Sequence, residues 1–240
     1  EDITTLTEML ARRGEVSGDK AAFTYEGQPC SFNELWQGIR RFASFLLDTG
    51  LSRHECVLIA LPNGIDFFLA FYGIQLAGGI AVPIFPESSL ERISFLTKLC
   101  SARLVVRQTR VIGLNGIQSI KVSGSRNTPI WNNFPAIHPG DVAFIQYTSG
   151  STGNPKGVQL THANLLTNMR QMIAGMQISP QDIFVSWLPV YHDMGLILKT
   201  MVPFYLAAQV HLLPADLKSI QIWLKTIQDQ HATFTAAPDF

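Results

Sequence analysis

The sequence predicts an α/β fold in which layers of parallel sheet are flanked by helices. Apolar stretches of strand length alternate with longer amphipathic stretches along most of the 240 residues, and this alternation is typical of βαβ units. Several of the apolar stretches are continuous, as expected of strands that are covered on both faces. Together with an apolar content of 47%, these observations indicate a well-packed core.

The first half of the chain is predicted to alternate helices with short strands. Ser31-Phe-Asn-Glu34 and Ser88-Ser-Leu-Glu91 are capping boxes, in which the side chain at each end can satisfy a backbone amide at the other. The helix from Ser31 repeats apolar residues at spacings of three and four. In chain order, the predicted elements are that helix, a strand at residues 56–61, a helix at 63–77, a strand at 80–84, a helix from 88 to about 100, a strand at 104–106 and a weak strand at 117–122.

One uncharged stretch is long enough to suggest a membrane span. Residues 67–85 read FFLAFYGIQLAGGIAVPIF and carry no charge, over about the length that crosses a bilayer. Gly78 and Gly79 divide the stretch, however, and Pro83 would interrupt a helix that continued past it. The sequence therefore predicts a buried helix, a glycine turn and a buried strand, with no transmembrane segment.

The second half is predicted to continue the alternation after a linker. Residues 123–140 are rich in Gly, Ser, Asn and Pro, and are predicted to connect a first α/β subdomain (residues 1–122) to a second (residues 141–240). The predicted elements are strands at residues 142–147, 158–160, 183–186, 209–213 and 232–236, and helices at 162–175, 194–204 and 217–228. A chain that stops after a parallel strand leaves that strand without a covering helix. We therefore expect the sequence to be the front part of a longer protein, without its C-terminal domain.

Charge and cysteine content argue against a nucleic acid partner, a cysteine metal site and a disulfide framework. The formal net charge is zero and no basic block occurs, which argues against a nucleic acid as partner. The cysteines Cys30, Cys56 and Cys100 have neither the spacing of a metal site nor the even number of a disulfide framework. This usage is typical of a reducing compartment, so we expect a cytoplasmic protein. No set of residues is predicted to bind a metal directly.

The segment after the strand at residues 142–147 has the chemistry of an anion-binding loop. It reads TSGSTGNPKG from Thr148 to Gly157. Its glycines allow backbone N–H groups to approach a ligand closely, its hydroxyl groups are further donors, and Lys156 brings a positive charge. The residues of this segment that could cradle phosphate groups are Thr148, Ser149, Gly150, Ser151, Thr152, Gly153 and Lys156.

Two other interpretations of this segment are weaker. The P-loop of common nucleotide hydrolases, G-x-x-x-x-G-K-(S/T), needs a glycine before the lysine and a hydroxyl residue after it, whereas this chain has Pro155 and Gly157 there. A flexible Ser/Gly spacer would explain the composition. It would not explain the position between two predicted strands or the Pro-Lys-Gly ending.

The segment resembles the signature of the adenylate-forming superfamily, which includes acyl-CoA synthetases, luciferases, peptide-synthetase adenylation domains and fatty acyl-AMP ligases. The pattern (S/T)-(S/G)-G-(S/T)-(S/T)-G-x-P-K-G is matched at every position from Thr148 to Gly157. The resemblance implies that a carboxylate attacks the α-phosphorus of ATP to give an acyl-adenylate and pyrophosphate. It also implies ATP and Mg²⁺ as cofactors, binding of the β- and γ-phosphates by the loop, and a catalytic role for Lys156.

A second segment, SWLPVYHDMGL from Ser186 to Leu196, follows another predicted strand. Ligands of α/β sheets gather at the carboxyl ends of strands, so His192 is expected to line the site. A structural histidine at a sheet edge is the alternative, and Asp193 could be no more than the cap of the next helix.

This second segment also resembles the superfamily, which shares a Pro-x-x-His-x-x-Gly pattern matched here by Pro189, His192 and Gly195. Its fuller form resembles the fatty acyl-AMP ligase branch. The resemblance implies a catalytic His192. The residues that it implies around the acyl group and its carboxylate are His192, Asp193, Met194, Gly195, Ala237 and Pro238.

The resemblance to this branch implies a fatty acid as substrate. It implies an acyl carrier protein or synthase module, through its phosphopantetheine thiol, as the acyl acceptor. A long-chain acyl-CoA synthetase and a non-catalytic acyl- or nucleotide-binding module remain as alternatives. Motifs that complete members carry further along the chain are not present in these residues, so we expect this piece alone not to complete adenylation.

Overall fold

The fold is described by a computed structural model covering residues 3–109, 116–148, 155–216 and 220–237. The α-helices are α1 (Leu6–Val16), α2 (Phe32–Asp48), α3 (Ile65–Leu76), α4 (Leu90–Cys100), α5 (His162–Met176), α6 (Val202–Leu206) and α7 (Ile220–Asp229). The strands are β1 (Ala21–Tyr25), β2 (Gln28–Ser31), β3 (Cys56–Ala60), β4 (Ile80–Pro83), β5 (Leu104–Arg107), β6 (Gln118–Ile120), β7 (Val142–Thr148), β8 (Lys156–Thr161), β9 (Ile183–Ser186) and β10 (Gln209–Leu212). A 3₁₀-helix (Val122–Ser125) and a π-helix (Met194–Met201) complete the described elements.

The strands form two sheets flanked by helices, which confirms the predicted α/β class. The larger sheet has the order β6-β5-β3-β4-β7-β8, and its strands are parallel except for β8, which runs antiparallel to β7. The smaller sheet has the order β2-β1-β10-β9, in which β2 pairs antiparallel with β1 and the other pairs are parallel. Parallel neighbours place the carboxyl ends of consecutive strands at one edge of each sheet.

Both sheets combine strands from the two sides of the linker at residues 123–140. The larger sheet joins β7 and β8 to four strands from the first half, and the smaller sheet joins β1 and β2 to β9 and β10. The boundary between two subdomains at this linker stays a prediction.

The uncharged stretch at residues 67–85 is part of the core, as predicted. It forms most of α3 and all of β4, and Phe67, Phe68, Phe71 and Tyr72 on α3 are fully buried. Across the described part of the chain, no helix combines the length and the apolarity that a bilayer span requires.

The helix caps agree with the sequence in all but one place. The capping box of Ser31 and Glu34 is present. The cap of α4 is Ser89, whose hydroxyl accepts a hydrogen bond from the Arg92 N–H at 3.2 Å, so the predicted box beginning at Ser88 is wrong by one residue. The hydroxyl of Ser88 donates instead to the carbonyl of Phe85 at 2.7 Å, which stabilises the turn before the helix.

Three differences from the predicted strands and helices have local causes. Residues 232–236 form only an isolated bridge between Phe184 and Phe234, with backbone hydrogen bonds that join Phe234 to Ile183 and Val185. The hydroxyls of Thr233 and Thr235 make the adjoining bonds to the Ile183 N–H and the Val185 carbonyl, so the ladder does not continue. The helix predicted at residues 194–204 is a π-helix followed by α6, with Pro203 in the first turn of α6, where proline's missing N–H is tolerated. The elements α1, β1 and β2 were not predicted, because their short and partly polar segments carry little periodicity.

Lys199 is a buried cation in the π-helix. Its side chain is only 2% exposed, and its Nζ lies 5.7 Å from the ring centroids of both Phe184 and Phe234. These two rings stack on each other with centroids 5.0 Å apart. Burial lowers the pKa of Lys199 from 10.5 to about 8, even though the aromatic faces attract the charged form.

We expect Lys199→Met to stabilise the protein at pH 7. The Lys199 amine binds its proton more tightly in the unfolded chain than in the folded chain. The buried charge therefore lowers the free energy of unfolding, and this penalty is complete below about pH 8. That penalty disappears as the pH rises from about 8 towards 10.5. The substitution should raise the free energy of unfolding by roughly 1–3 kcal/mol at pH 7, and by less at pH near 10.

Urea denaturation at the two pH values measures this difference. Lys121→Met, at an exposed lysine, is the matched control and should change the free energy of unfolding little at either pH. An equal gain for Lys199→Met at both pH values would show that the buried charge is not the cause.

Candidate active site

The predicted anion-binding segment joins the two strands of a hairpin at the edge of the larger sheet. Thr148, the last residue of β7, pairs with Lys156, the first residue of β8. The Thr148 hydroxyl donates to the carbonyl of Lys156 at 3.5 Å, and the Lys156 side chain is exposed. The predicted phosphate-binding residues Ser149, Gly150, Ser151, Thr152 and Gly153 lie outside the described residues.

The glycine that ends the motif is required by close packing. Side chains of Ile145 and Tyr147 on β7 cover Gly157 on β8. A Cβ at Gly157 would lie 2.9 Å from a methyl carbon of Ile145 and 3.1 Å from the ring of Tyr147, both tighter than ordinary van der Waals contact. Gly157 therefore leaves room for the Tyr147 ring against the hairpin.

A cavity of about 210 Å³ is lined both by β7, the strand that leads into the predicted anion-binding segment, and by the second predicted segment. The cavity lies past the carboxyl ends of β4 and β7 and is lined by Tyr147 from the hairpin and by His192 from the second segment. Phe85 and Tyr191 pack edge to face across it, with ring centroids 5.8 Å apart. Its position matches the rule that ligands of α/β sheets bind beyond the carboxyl ends of strands.

Gln146 supplies a polar group to this cavity. Its Nε2 donates to the carbonyl of Tyr191 at 3.2 Å, which ties β7 to the segment that carries His192. Its buried Oε1 has no hydrogen-bond partner among the described residues. Since such an atom is costly to leave unpaired, Gln146 fits a ligand that brings a hydrogen-bond donor.

His192 and Asp193 form an exposed polar pair at the start of the π-helix. His192 Nδ1 and Asp193 Oδ1 are 3.1 Å apart, and the side chains are 71% and 67% exposed. Asp193 also accepts a hydrogen bond from the Met194 N–H at 2.8 Å, so its predicted role as a helix cap is confirmed. Partial burial opposes ionisation, but the bonds from His192 and Met194 outweigh it and lower the pKa of Asp193.

A second cavity, of about 310 Å³, also borders His192. It is lined by four of the residues predicted to surround the substrate, together with Leu188 and Pro189; the four are His192, Asp193, Met194 and Gly195. His192 thus borders both cavities. Of the remaining predicted residues, Ala237 is exposed and Pro238 lies outside the described residues.

Asn63, which the sequence indicated only as the start of a helix, holds the second segment in place. This side chain is 3% exposed, and its Nδ2 donates to the carbonyls of Leu188 at 3.0 Å and Leu213 at 2.8 Å. Its Oδ1 accepts from the Val190 N–H at 2.9 Å. Asn63 follows β3 of the larger sheet, whereas its three partners follow β9 and β10 of the smaller sheet, so this residue joins the two sheets beside the site.

Gly195 is required by close approach of the backbone. A Cβ at this position would lie 2.8 Å from the carbonyl carbon of Pro189 and nearer still to its oxygen. Because that atom belongs to the backbone and not to a flexible side chain, no small rotation would relieve the clash. The turn from Pro189 to the π-helix, which presents His192, depends on the missing side chain.

We expect Gly195→Ala to lower the free energy of unfolding by roughly 2–3 kcal/mol, because the new methyl group forces the Pro189 backbone away. Gly175→Ala is the matched control: Gly175 lies in α5 with nothing within 4 Å of its Cβ position, and alanine there should be neutral or slightly stabilising. Thermal unfolding of both variants measures the effect. Equal stability of the two variants would contradict the close approach.

Known proteins resemble this chain over its whole length. It is 28% identical to the medium-chain fatty acid acyl-carrier-protein ligase TtuA of Teredinibacter turnerae, covering 100% of this chain and 47% of that protein. It is 30% identical to the long-chain fatty acid AMP ligase FadD23 of Mycobacterium tuberculosis, covering 98% of this chain and 46% of that protein. The chain therefore spans less than half the length of the curated relatives it matches.

A solved structure supports the same relationship. The fatty acyl-adenylate ligase of L. pneumophila, in complex with acyl adenylate and pyrophosphate, superposes with a TM-score of 0.88 at 28% identity, covering 99% of this chain and 44% of that one. The resemblance inferred from the two motifs is thus confirmed. The profile of the AMP-binding enzymes matches residues 10–239, and the chain belongs to this family.

Proposed function

We propose that the full-length protein activates a fatty acid as an acyl-adenylate and passes the acyl group to the phosphopantetheine thiol of a carrier protein or synthase module. The observation that carries this proposal is that His192 lines both cavities. A nucleotide beside the hairpin and a carboxylate beside the π-helix would meet at this residue. Similarity to fatty acyl-AMP ligases supports the same assignment.

The proposed first step is a displacement at phosphorus. A carboxylate oxygen of the fatty acid forms a bond to the α-phosphorus of ATP, and the bond from that phosphorus to the oxygen that bridges to the β-phosphate breaks. Pyrophosphate leaves with the electron pair. The barrier is high because an anion must approach a polyanion, so fixed donors and positive charge near the phosphates lower it.

We assign the phosphate contacts to the β7–β8 hairpin. Lys156, with its exposed cation, and Thr148, with its hydroxyl, are paired across the two strands at the ends next to the connecting segment. Both side chains can face one anion there. The proposal extends to the residues between them that carry hydroxyl groups or allow close backbone approach, namely Ser149, Gly150, Ser151, Thr152 and Gly153.

We assign the acyl side of the site to the start of the π-helix. His192 is proposed to contact the carboxylate, and the Asp193 carboxylate would orient the imidazole through the 3.1 Å contact at Nδ1. The second cavity, beside Met194 and Gly195, is the proposed entrance for the acyl chain. Ala237 and Pro238 are proposed to border the same channel.

Magnesium is proposed to accompany ATP and to neutralise part of its charge when bound. No group of three or more His, Cys, Asp or Glu side chains converges within the part of the chain that the structure describes. These residues therefore do not form an all-protein cage, and Mg²⁺ commonly binds through phosphates with only one or two carboxylates. We assign no step of the reaction to the metal ion.

Exchange of labelled pyrophosphate into ATP by the full-length protein tests this function. Exchange should depend on a fatty acid and should be absent with an amino acid or with no acid. Binding of ATP and fatty acid without exchange would instead identify a non-catalytic module. Product analysis with phosphopantetheinylated carrier protein and with CoA then distinguishes acyl transfer to protein from CoA ligation, and acyl-CoA as the main product would reject the proposed acceptor.

A further inference from the structure

Two of the cysteines meet beside the hairpin, in a cavity that the proposed reaction does not use. This cavity measures about 470 Å³ and is lined by Cys56 at the start of β3, Cys100 at the end of α4, and Tyr147 on β7. Pro155 and Gly157, from the end of the anion-binding segment, also line it. The two cysteines are 44 residues apart in sequence, so only the fold brings them together.

The surroundings of Cys100 favour its thiolate. The neighbouring Cys56 thiol outweighs burial and lowers the pKa of Cys100 to about 7, although the Cys100 thiol also contacts the Leu96 carbonyl at 3.1 Å. The same pairing raises the pKa of Cys56. Cys100 is part-exposed and has the lowered pKa, whereas Cys56 is buried and has the raised pKa. A reactive cysteine with a resolving partner has this arrangement.

We propose that Cys56 and Cys100 form a redox-active dithiol that hydrogen peroxide converts to a disulfide. The Cys100 thiolate attacks one peroxide oxygen, the O–O bond breaks, and Cys100 becomes a sulfenic acid as hydroxide leaves and takes up a proton to become water. The Cys56 sulfur then attacks the Cys100 sulfur, and its proton leaves with the displaced hydroxyl as a second water. Two thiols are oxidised and one peroxide is reduced.

Tyr147 links this dithiol to the candidate active site. Burial and the neighbouring Cys100 thiol raise the pKa of Tyr147 to about 12, and its side chain lines both the dithiol cavity and the 210 Å³ cavity beside His192. It stands one residue before Thr148 in β7. Disulfide formation would remove the thiolate charge from the cavity wall that Tyr147 shares, so oxidation would change the surroundings of Tyr147 beside the hairpin.

Peptide mapping of the peroxide-treated protein under non-reducing conditions tests the proposal. The expected product is a linked pair of peptides containing Cys56 and Cys100, which dithiothreitol separates. Cys30→Ser is the matched control, because Cys30 is buried on β2 with its pKa raised to about 12, and this variant should give the same linked peptides. In Cys56→Ser, oxidation should stop at a sulfenic acid on Cys100 that dimedone traps.

Alkylation of the untreated protein gives an independent measure. At neutral pH, iodoacetamide should label Cys100 at least about tenfold faster than Cys30, because only Cys100 has a substantial thiolate fraction. Treated protein in which all three cysteines still react with iodoacetamide after denaturation would overturn the proposal, as would a link that includes Cys30. Neither readout requires ATP or a fatty acid, so both are independent of the proposed adenylation activity.

Discussion

Replacing Lys156 with alanine is expected to reduce fatty-acid-dependent pyrophosphate exchange by the full-length protein about 10²–10³-fold, which is typical for loss of one group that stabilises transition-state charge. Lys156 is the first residue of β8 and pairs with Thr148, the last residue of β7. Its exposed side chain contributes little to the core, so the free energy of unfolding should change by less than about 0.5 kcal/mol. A large loss of rate without a loss of stability would identify a functional cation.

Two control variants make this test specific. Lys156→Arg keeps the charge with a different geometry and should recover part of the exchange rate. Lys121→Ala removes an exposed lysine that lies outside the site and should leave the rate unchanged. Exchange by Lys156→Ala at the rate of the unmodified protein would remove Lys156 from the proposed mechanism.

Asn63→Ala is expected to have the largest effect on stability, lowering the free energy of unfolding by roughly 3–5 kcal/mol. The substitution leaves the Leu188 and Leu213 carbonyls and the Val190 N–H without their partner. Each buried polar group that loses its hydrogen bond costs roughly 1–3 kcal/mol. Water that enters the space recovers part of this cost, so the expected total is below the simple sum.

Urea denaturation of Asn63→Ala and of the control Asn33→Ala measures how much the three hydrogen bonds of Asn63 contribute to the free energy of unfolding. Asn33 lies exposed on α2, and its loss should change the free energy of unfolding by less than about 0.5 kcal/mol. If Asn63→Ala were as stable as Asn33→Ala, the three hydrogen bonds would not be what holds the segment before His192.

The features that the sequence predicted are those with a local physical signal. Periodic apolar residues and a capping hydroxyl located α2, and the uncharged run at residues 67–85 located α3 and β4. The Thr148–Gly157 and Pro189–Gly195 motifs indicated the two segments that we propose as the sides of the site, because spacing within a short segment is visible in the chain itself.

The features that the sequence did not predict arise from contacts between distant segments. The three partners of Asn63 are at least 125 residues away in the chain, and nothing in its surroundings distinguishes it from an ordinary helix-start asparagine. Tyr147 packs over Gly157 and lies beside the Cys100 thiol. The π-helix that contains Lys199 has the apolar pattern of an ordinary α-helix. Only the folded structure distinguishes the two kinds of helix.

The register of the β7–β8 hairpin has a consequence for how related chains can diverge. Because Thr148 and Lys156 face each other as paired residues, the ladder fixes the lysine independently of how many residues connect the two strands. Doubling the length of a flexible connection costs only about 0.6 kcal/mol in closure entropy. Insertions between these two paired residues therefore cost little stability and leave the cation in place.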